Sequence, residues 1–221
     1  MSEQDRVKNF LYQKFEEQRV ASIIKHFLCI IQKFEESDWE NSLAKAGKFI
    51  EATIKLLWVY AGKTLPTRQK DFSAGSYAQK IIQLETKVMP DDSVRLQIPR
   101  ACIFIYDITS NRGGRHDSDE VNANEMDAST ILPLCSWILA ELVRFCAKGS
   151  LGVDGAKTII GSLTERRYPI FEEIDGRIYV DRKKFKSAPE CGLLILYKIY
   201  PKRISRDELA SFVKLHGFKQ S

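Results

Sequence analysis

The sequence predicts a mainly α-helical protein in two parts, a helical bundle over residues 1–148 and a small basic α+β module over residues 149–221. Three observations carry that reading. Apolar residues recur at intervals of three and four through long runs of the first part. The texture changes after Lys148, where Gly149, Ser150 and Gly152 interrupt the pattern. An Asp175-Gly176 dipeptide then separates two short β-like runs, the signal of a tight hairpin. A chain of 221 residues with 44% hydrophobic content can bury one sizeable core and carry a smaller appendage.

Taken in order, residues 4–36 place Phe10, Leu11, Phe15, Val20, Ile23, Ile24, Phe27, Leu28 and Ile31 on a helical spacing with a break near Glu17. His26 lies inside this pattern and reads as a packed or surface histidine. Ser37 and Glu40 have the spacing of a capping box, and Leu43, Ala46, Ile50, Ile54, Leu57, Trp58 and Ala61 continue it as one apolar stripe that Gly62 ends. Glu51 sits beside that stripe, at the surface or at the rim of a partly buried polar site. Residues 62–75 form a polar connection whose Gly62-Lys63-Thr64 lacks the glycine spacing of a phosphate loop.

A shorter helix is expected over residues 76–87 and a longer one over 94–108, with Pro99 at its first turn or kinking it. Asn124 and Asp127 form an N-cap pair for a last bundle helix, in which Ile131, Cys135, Ile138, Leu139, Leu142, Val143 and Cys146 describe more than one buried face. In the second part a short helix at 153–163, the hairpin, and helices at 188–200 and 206–215 follow. Ser205 and Glu208 make a capping box for the last of these. Hairpin, helices and the basic segment at 181–186 resemble a winged-helix module, with the elements in an unusual order.

The five cysteines, Cys29, Cys102, Cys135, Cys146 and Cys191, are widely spaced without a CxxC pair, as expected of free thiols in a reducing compartment. No leader pattern opens the chain and no apolar run is read as approaching the roughly 20 residues of a membrane span, so a cytoplasmic protein without membrane attachment is expected. The net charge is +5, and residues 149–221 hold 14 Lys and Arg against 9 Asp and Glu, so the whole excess lies there. Such an excess suits a polyanionic partner or a solvated lysine-rich surface.

Chemically capable side chains crowd into residues 107–127, DITSNRGGRHDSDEVNANEMD. Arg112, Arg115, His116, Asp117, Asp119 and Glu120 stand around Gly113 and Gly114, which let a ligand approach the backbone. Histidine exchanges protons near neutral pH, and a neighbouring arginine holds a phosphate and the charge developing on it. The set suits metal-independent RNA cleavage, in which a 2′-hydroxyl attacks the adjacent phosphodiester, His116 is base or acid, and Arg112 or Arg115 grips the phosphate. Two other readings stand beside it. The carboxylates could hold a divalent cation, or arginines and carboxylates of adjacent helices could simply pair and fix the loop.

The stretch YDITSNRGGRHDSDEVNANEMDA followed by SWILAELVRF resembles the HEPN superfamily, nucleotide-binding and ribonuclease domains common in prokaryotic toxin and abortive-infection systems. The resemblance spans roughly residues 38–146. It implies a cytoplasmic homodimer whose two loops make a composite ribonuclease site, or a non-catalytic member that binds RNA or a larger defence-system effector. The family motif is an arginine, four to six residues, then histidine. Counting back from His116, those arginine positions hold Asn111, Ser110 and Thr109, while Arg112 is separated from His116 by three residues.

The expected catalytic set is therefore His116, with Arg112, Arg115 and Asn111. The expected nucleic-acid contacts are Arg112, Arg115, Arg182, Lys183, Lys184 and Lys186. RNA is the expected partner, DNA the alternative through the second part, and the chemistry calls for no cofactor and no resident metal.

Overall fold

The structure, a computed structural model, describes residues 3–112, 122–147, 149–164, 171–174, 176–200 and 203–218. It is mainly helical. Its contacts divide the chain into two units, Met1–Glu165 and Arg166–Ser221.

The first unit is built on α1 (Glu3–Leu11), α2 (Glu17–Glu35), α3 (Trp39–Tyr60), α4 (Ala74–Ile82), α5 (Ile98–Asn111), α6 (Glu125–Cys146) and α7 (Val153–Thr164). The break expected near Glu17 separates α1 from α2. The apolar stripe of α3 is buried against α2, α4, α5 and α6, which makes it the axis of the bundle. Phe27, Phe49, Ile50, Ile54 and Leu57 are fully enclosed and meet Ile98, Cys102 and Ile105 of α5 and Cys135, Ile138 and Leu142 of α6 in one core. Each such large aliphatic or aromatic side chain contributes about 1.5–3 kcal/mol by leaving water. The two hydroxyls buried in α3 are satisfied by backbone carbonyls, Thr53 on Phe49 and Ser42 on Ile30, so they carry no desolvation penalty of an unpaired group.

The start of α3 differs from the Ser37–Glu40 capping box. Asp38 is the N-cap, its carboxylate accepting from the Asn41 backbone N–H at 3.3 Å. Ser37 instead takes φ of +57° as the residue that ends α2. The Asp38 N–H donates to the Lys33 carbonyl at 2.9 Å and the Ser37 N–H to that of Phe34 at 3.0 Å. This double closure consumes Ser37 in the turn and hands the capping role to the next side chain. Gly62 ends α3 by the same closure at φ +73°, as its position suggested.

Beyond α3, a 3-10 turn at Gln69–Asp71 interrupts the polar connection, and Ser73 caps α4, which starts and ends earlier than expected. A π-helical turn, Ser93–Gln97, leads into α5, with Pro99 in the first turn where a missing N–H costs nothing. The α5 helix runs on through Asn111, three residues beyond the expected end at 108.

Asn124 caps α6, accepting from the Asp127 N–H at 3.1 Å. With 22 residues, α6 is long and apolar enough by length and composition to cross a membrane, longer than the sequence reading allowed. Here ten of its residues are buried in the bundle. The α7 helix, expected to open the second part, packs on α1 and α6 and buries Ile159, Ile160 and Leu163 in the bundle core. The unit boundary therefore falls after it.

The second unit has an antiparallel hairpin of β1 (Phe171–Ile174) and β2 (Arg177–Val180), followed by α8 (Ala188–Ile199) and α9 (Arg206–Lys214). Ile174 pairs with Arg177, which leaves a two-residue turn. Gly176 has φ of +72°, the conformation that such a turn demands. Residue 175 lies outside the described residues. Ile178, Val180, Phe185, Cys191 and Ile195 form a small core of their own. The Ser205–Glu208 capping box is present in full, with hydrogen bonds of 3.1 and 3.2 Å.

Candidate functional site

Of the residues expected at the site, Arg115 and His116 lie outside the described residues, together with Asp117, Asp119 and Glu120; Asn111 and Arg112 lie within them. Asn111 is the exposed last residue of α5. Arg112 leaves the helix in an extended conformation and turns toward α6, where its Nε lies 3.3 Å from Asp127 Oδ2. The Asp127 side chain is only 7% exposed. Its Oδ2 also accepts from Asn124 Nδ2 at 2.8 Å, in the first turn of α6, where the helix dipole favours a negative charge.

At Arg112 an arginine just past the end of one helix thus pairs with a carboxylate in the first turn of the next. Thr109, one of the positions where the motif arginine would stand, packs toward α3. Its Oγ1 lies 3.5 Å from the point where a Cβ on Gly47 would sit.

A second polar cluster ties the π-helical turn to α6. Ser93 Oγ donates to Glu141 Oε2 at 2.9 Å, and Arg144 donates to that same carboxylate oxygen and to Ser93 Oγ at 2.9 and 2.8 Å. Every charge in it is matched, as a half-buried network requires. The neighbouring groove between α6 and α7, of about 520 Å³, is apolar and lined by Leu132, Trp137, Val153, Ala156 and Ile160.

A third polar site lies between α2 and α3. His26 and Glu51, both singled out in the sequence, line one pocket of about 370 Å³ with Ser22, Lys48, Lys55 and Gln69. The apolar pattern singles out Glu51 beside the stripe and His26 as a packed or surface histidine, but not the lysines around them. The signal was available: Lys45, Lys48, Glu51 or Ala52, and Lys55 recur at helical spacing along the flank of the α3 stripe.

In the second unit the basic residues are not equivalent. The Arg182 guanidinium stacks over Phe185 and Phe218 at 4.9 and 4.6 Å. Lys184 and Lys186 are exposed, and Lys183 lies in the 3-10 turn between β2 and α8. His216 ties β2 to α9. Its Nε2 accepts from the Val180 N–H at 2.7 Å and its Nδ1 lies 2.9 Å from the Phe212 carbonyl, which assigns the proton to Nδ1.

Burial pushes the Cys102, Cys135 and Cys146 thiols up, the last to about 12, and raises Cys191 as well. All five cysteines are free, and these buried ones are inert as nucleophiles. Among the described residues no group of three or more His, Cys, Asp or Glu stands close enough to hold a metal ion.

Against protein-family models, curated proteins and solved structures, the chain finds no match.

Proposed function

We propose that this chain is an RNA-directed protein of HEPN-like type, a cytoplasmic homodimer of a prokaryotic defence or toxin system that cleaves RNA without a metal. What supports the reading is the sequence itself, which sets Arg115 and His116 in the stretch between α5, ending at Asn111, and α6, beginning at Glu125. In the proposed reaction His116 of one copy takes the proton of a 2′-hydroxyl, whose oxygen attacks the adjacent phosphorus. The 5′-oxygen leaves and is protonated by His116 of the second copy, which gives a 2′,3′-cyclic phosphate and a 5′-hydroxyl. Arg115 is the guanidinium for the phosphate, because Arg112 is engaged by Asp127.

That same engagement favours a second reading, a non-catalytic HEPN-like subunit that binds RNA or a larger defence effector through the loop and through Lys184 and Lys186. A winged-helix-like DNA reader in the second unit ranks third. Arg182 is stacked on aromatic rings, and Leu193, Leu196, Tyr197 and Tyr200 of the α8 region expose apolar rather than basic surface.

The test is incubation of the purified wild type and a His116→Ala variant with cellular RNA in EDTA, reading cleavage and end groups. Cyclic phosphate ends from the wild type alone support the nuclease. Intact RNA that is nonetheless bound supports the non-catalytic subunit, and cleavage only on addition of a metal overturns the proposed chemistry.

A further inference from the structure

The flank of α2 and α3 opposite their shared core carries more positive charge than it neutralises. The pocket there is lined from α2 by Ser22 and His26, from α3 by Lys48, Glu51 and Lys55, and from the 3-10 turn by Gln69. Its one carboxylate, Glu51, is engaged: Lys55 Nζ and Gln69 Nε2 both donate to Glu51 Oε1, and Lys55 Nζ also donates to the side-chain oxygen Oε1 of Gln69 at 3.0 Å. Lys48 stands on the opposite side of Glu51 along the helix. Among the described residues Lys48 has no carboxylate within ion-pair distance, nor have Lys25 and Lys45 beside the pocket.

His26 reports the resulting field. Burial lowers its pKa first, then the charges of Lys48, Lys25 and Lys45, with Glu51 opposing. Near neutral pH it is an uncharged imidazole with one N–H to donate. The lining therefore includes a hydroxyl and an imidazole N–H from α2 and, from α3, an ammonium that holds no carboxylate, while Lys55 and Gln69 are held by Glu51 and by each other.

We propose that this pocket binds a phosphate group. A cation is disfavoured by the charge balance, since the sole carboxylate is spent on Lys55. A carboxylate ligand would use one edge of the site, whereas a phosphate presents acceptor oxygens toward both helices at once. The pocket, of about 370 Å³ and open to solvent, has room for a phosphate carried on a nucleotide or on the backbone of a nucleic acid as well as for the free ion. The proposal does not use residues 113–121 and does not depend on the RNA-directed reading above.

The test is titration of the full-length protein with sodium phosphate, with a 5′-mononucleotide and with a short single-stranded RNA, each at constant ionic strength. The readout is the His26 imidazole resonances, assigned with a His26→Gln variant. The expected result is a saturable shift of His26, with its titration midpoint raised because the anion faces the imidazole between Lys25 and Ser22 of α2, Lys45, Lys48, Glu51 and Lys55 of α3, and Gln69.

Lys48→Glu should weaken binding by at least about tenfold while leaving the circular dichroism unchanged, since it removes a charged donor. The tightest of the three probes names the source of the phosphate. No saturable shift with any probe, or an equal shift in Lys48→Glu, or the same shift with chloride, overturns the proposal. Because His116 is not involved, binding here is distinguishable from any result on RNA cleavage.

Discussion

Arg112 and Asp127 meet, Nε to Oδ2 at 3.3 Å, and so join the end of α5 to the first turn of α6. The carboxylate is nearly buried, while the guanidinium remains about one-third exposed. That asymmetry makes the pair matter in one direction. Losing the arginine leaves a buried charge with only Asn124 and the helix dipole to support it.

Arg112→Ala should therefore lower stability by about 1–2 kcal/mol, less than a fully buried pair because solvent reaches the guanidinium. Asp127→Asn should cost a similar amount, and the double variant less than the sum. Urea unfolding of the four proteins measures the coupling. A coupling near zero would mean that the contact is only a surface encounter and that Arg112 is available for a phosphate.

Ser37 is a serine in a left-handed conformation, φ +57°, at the end of α2. An L residue pays roughly 1–2 kcal/mol there that glycine does not. Glycine in turn loses about 0.4–1 kcal/mol through the freedom of the unfolded chain. Ser37→Gly should raise stability by about 0.5–1 kcal/mol, while Ser37→Val should lower it. If the capping role lay with Ser37 rather than Asp38, glycine would destabilise, so the sign of the change in the urea midpoint decides.

The helices were legible because their cores repeat at three and four residues, and Gly176 was legible because few residues accept its φ. Ser37 misled because a serine three residues before a glutamate looks the same whether it caps one helix or closes the previous one. The α7 helix was assigned to the wrong neighbour, since glycines at 149 and 152 mark a turn without saying where the chain returns. The site was half legible. Its residue types stood out, but the partner of Arg112 lies 15 positions away on another helix, and the pocket around His26 exists only once α2 and α3 pack.

In the second unit, His216 links β2 to the end of α9, accepting from Val180 and donating to Phe212. His216→Ala leaves the Val180 N–H without its partner in a small core of five buried residues. A loss of about 1–3 kcal/mol in that unit is expected, visible as faster amide exchange at Ile178 and Val180 with the amides of α3 unaffected. Uniform exchange in both units would show that His216 is not the local tie.

The depressed pKa of His26 makes stability depend on pH in a defined direction. Above the ordinary histidine value of 6.5 both folded and unfolded imidazoles are neutral, and the contribution is complete. As pH falls below 6.5 the unfolded chain protonates first, because burial and Lys48, Lys25 and Lys45 resist the charge in the fold. Stability is lost until pH passes the folded value. His26→Gln, which keeps a polar group without a titration, should flatten the fall in urea midpoint between pH 7 and pH 5. The slope should also shrink in Lys48→Glu, which replaces an opposing cation with an anion. An unchanged slope in both variants would assign the acid sensitivity of the bundle to other groups.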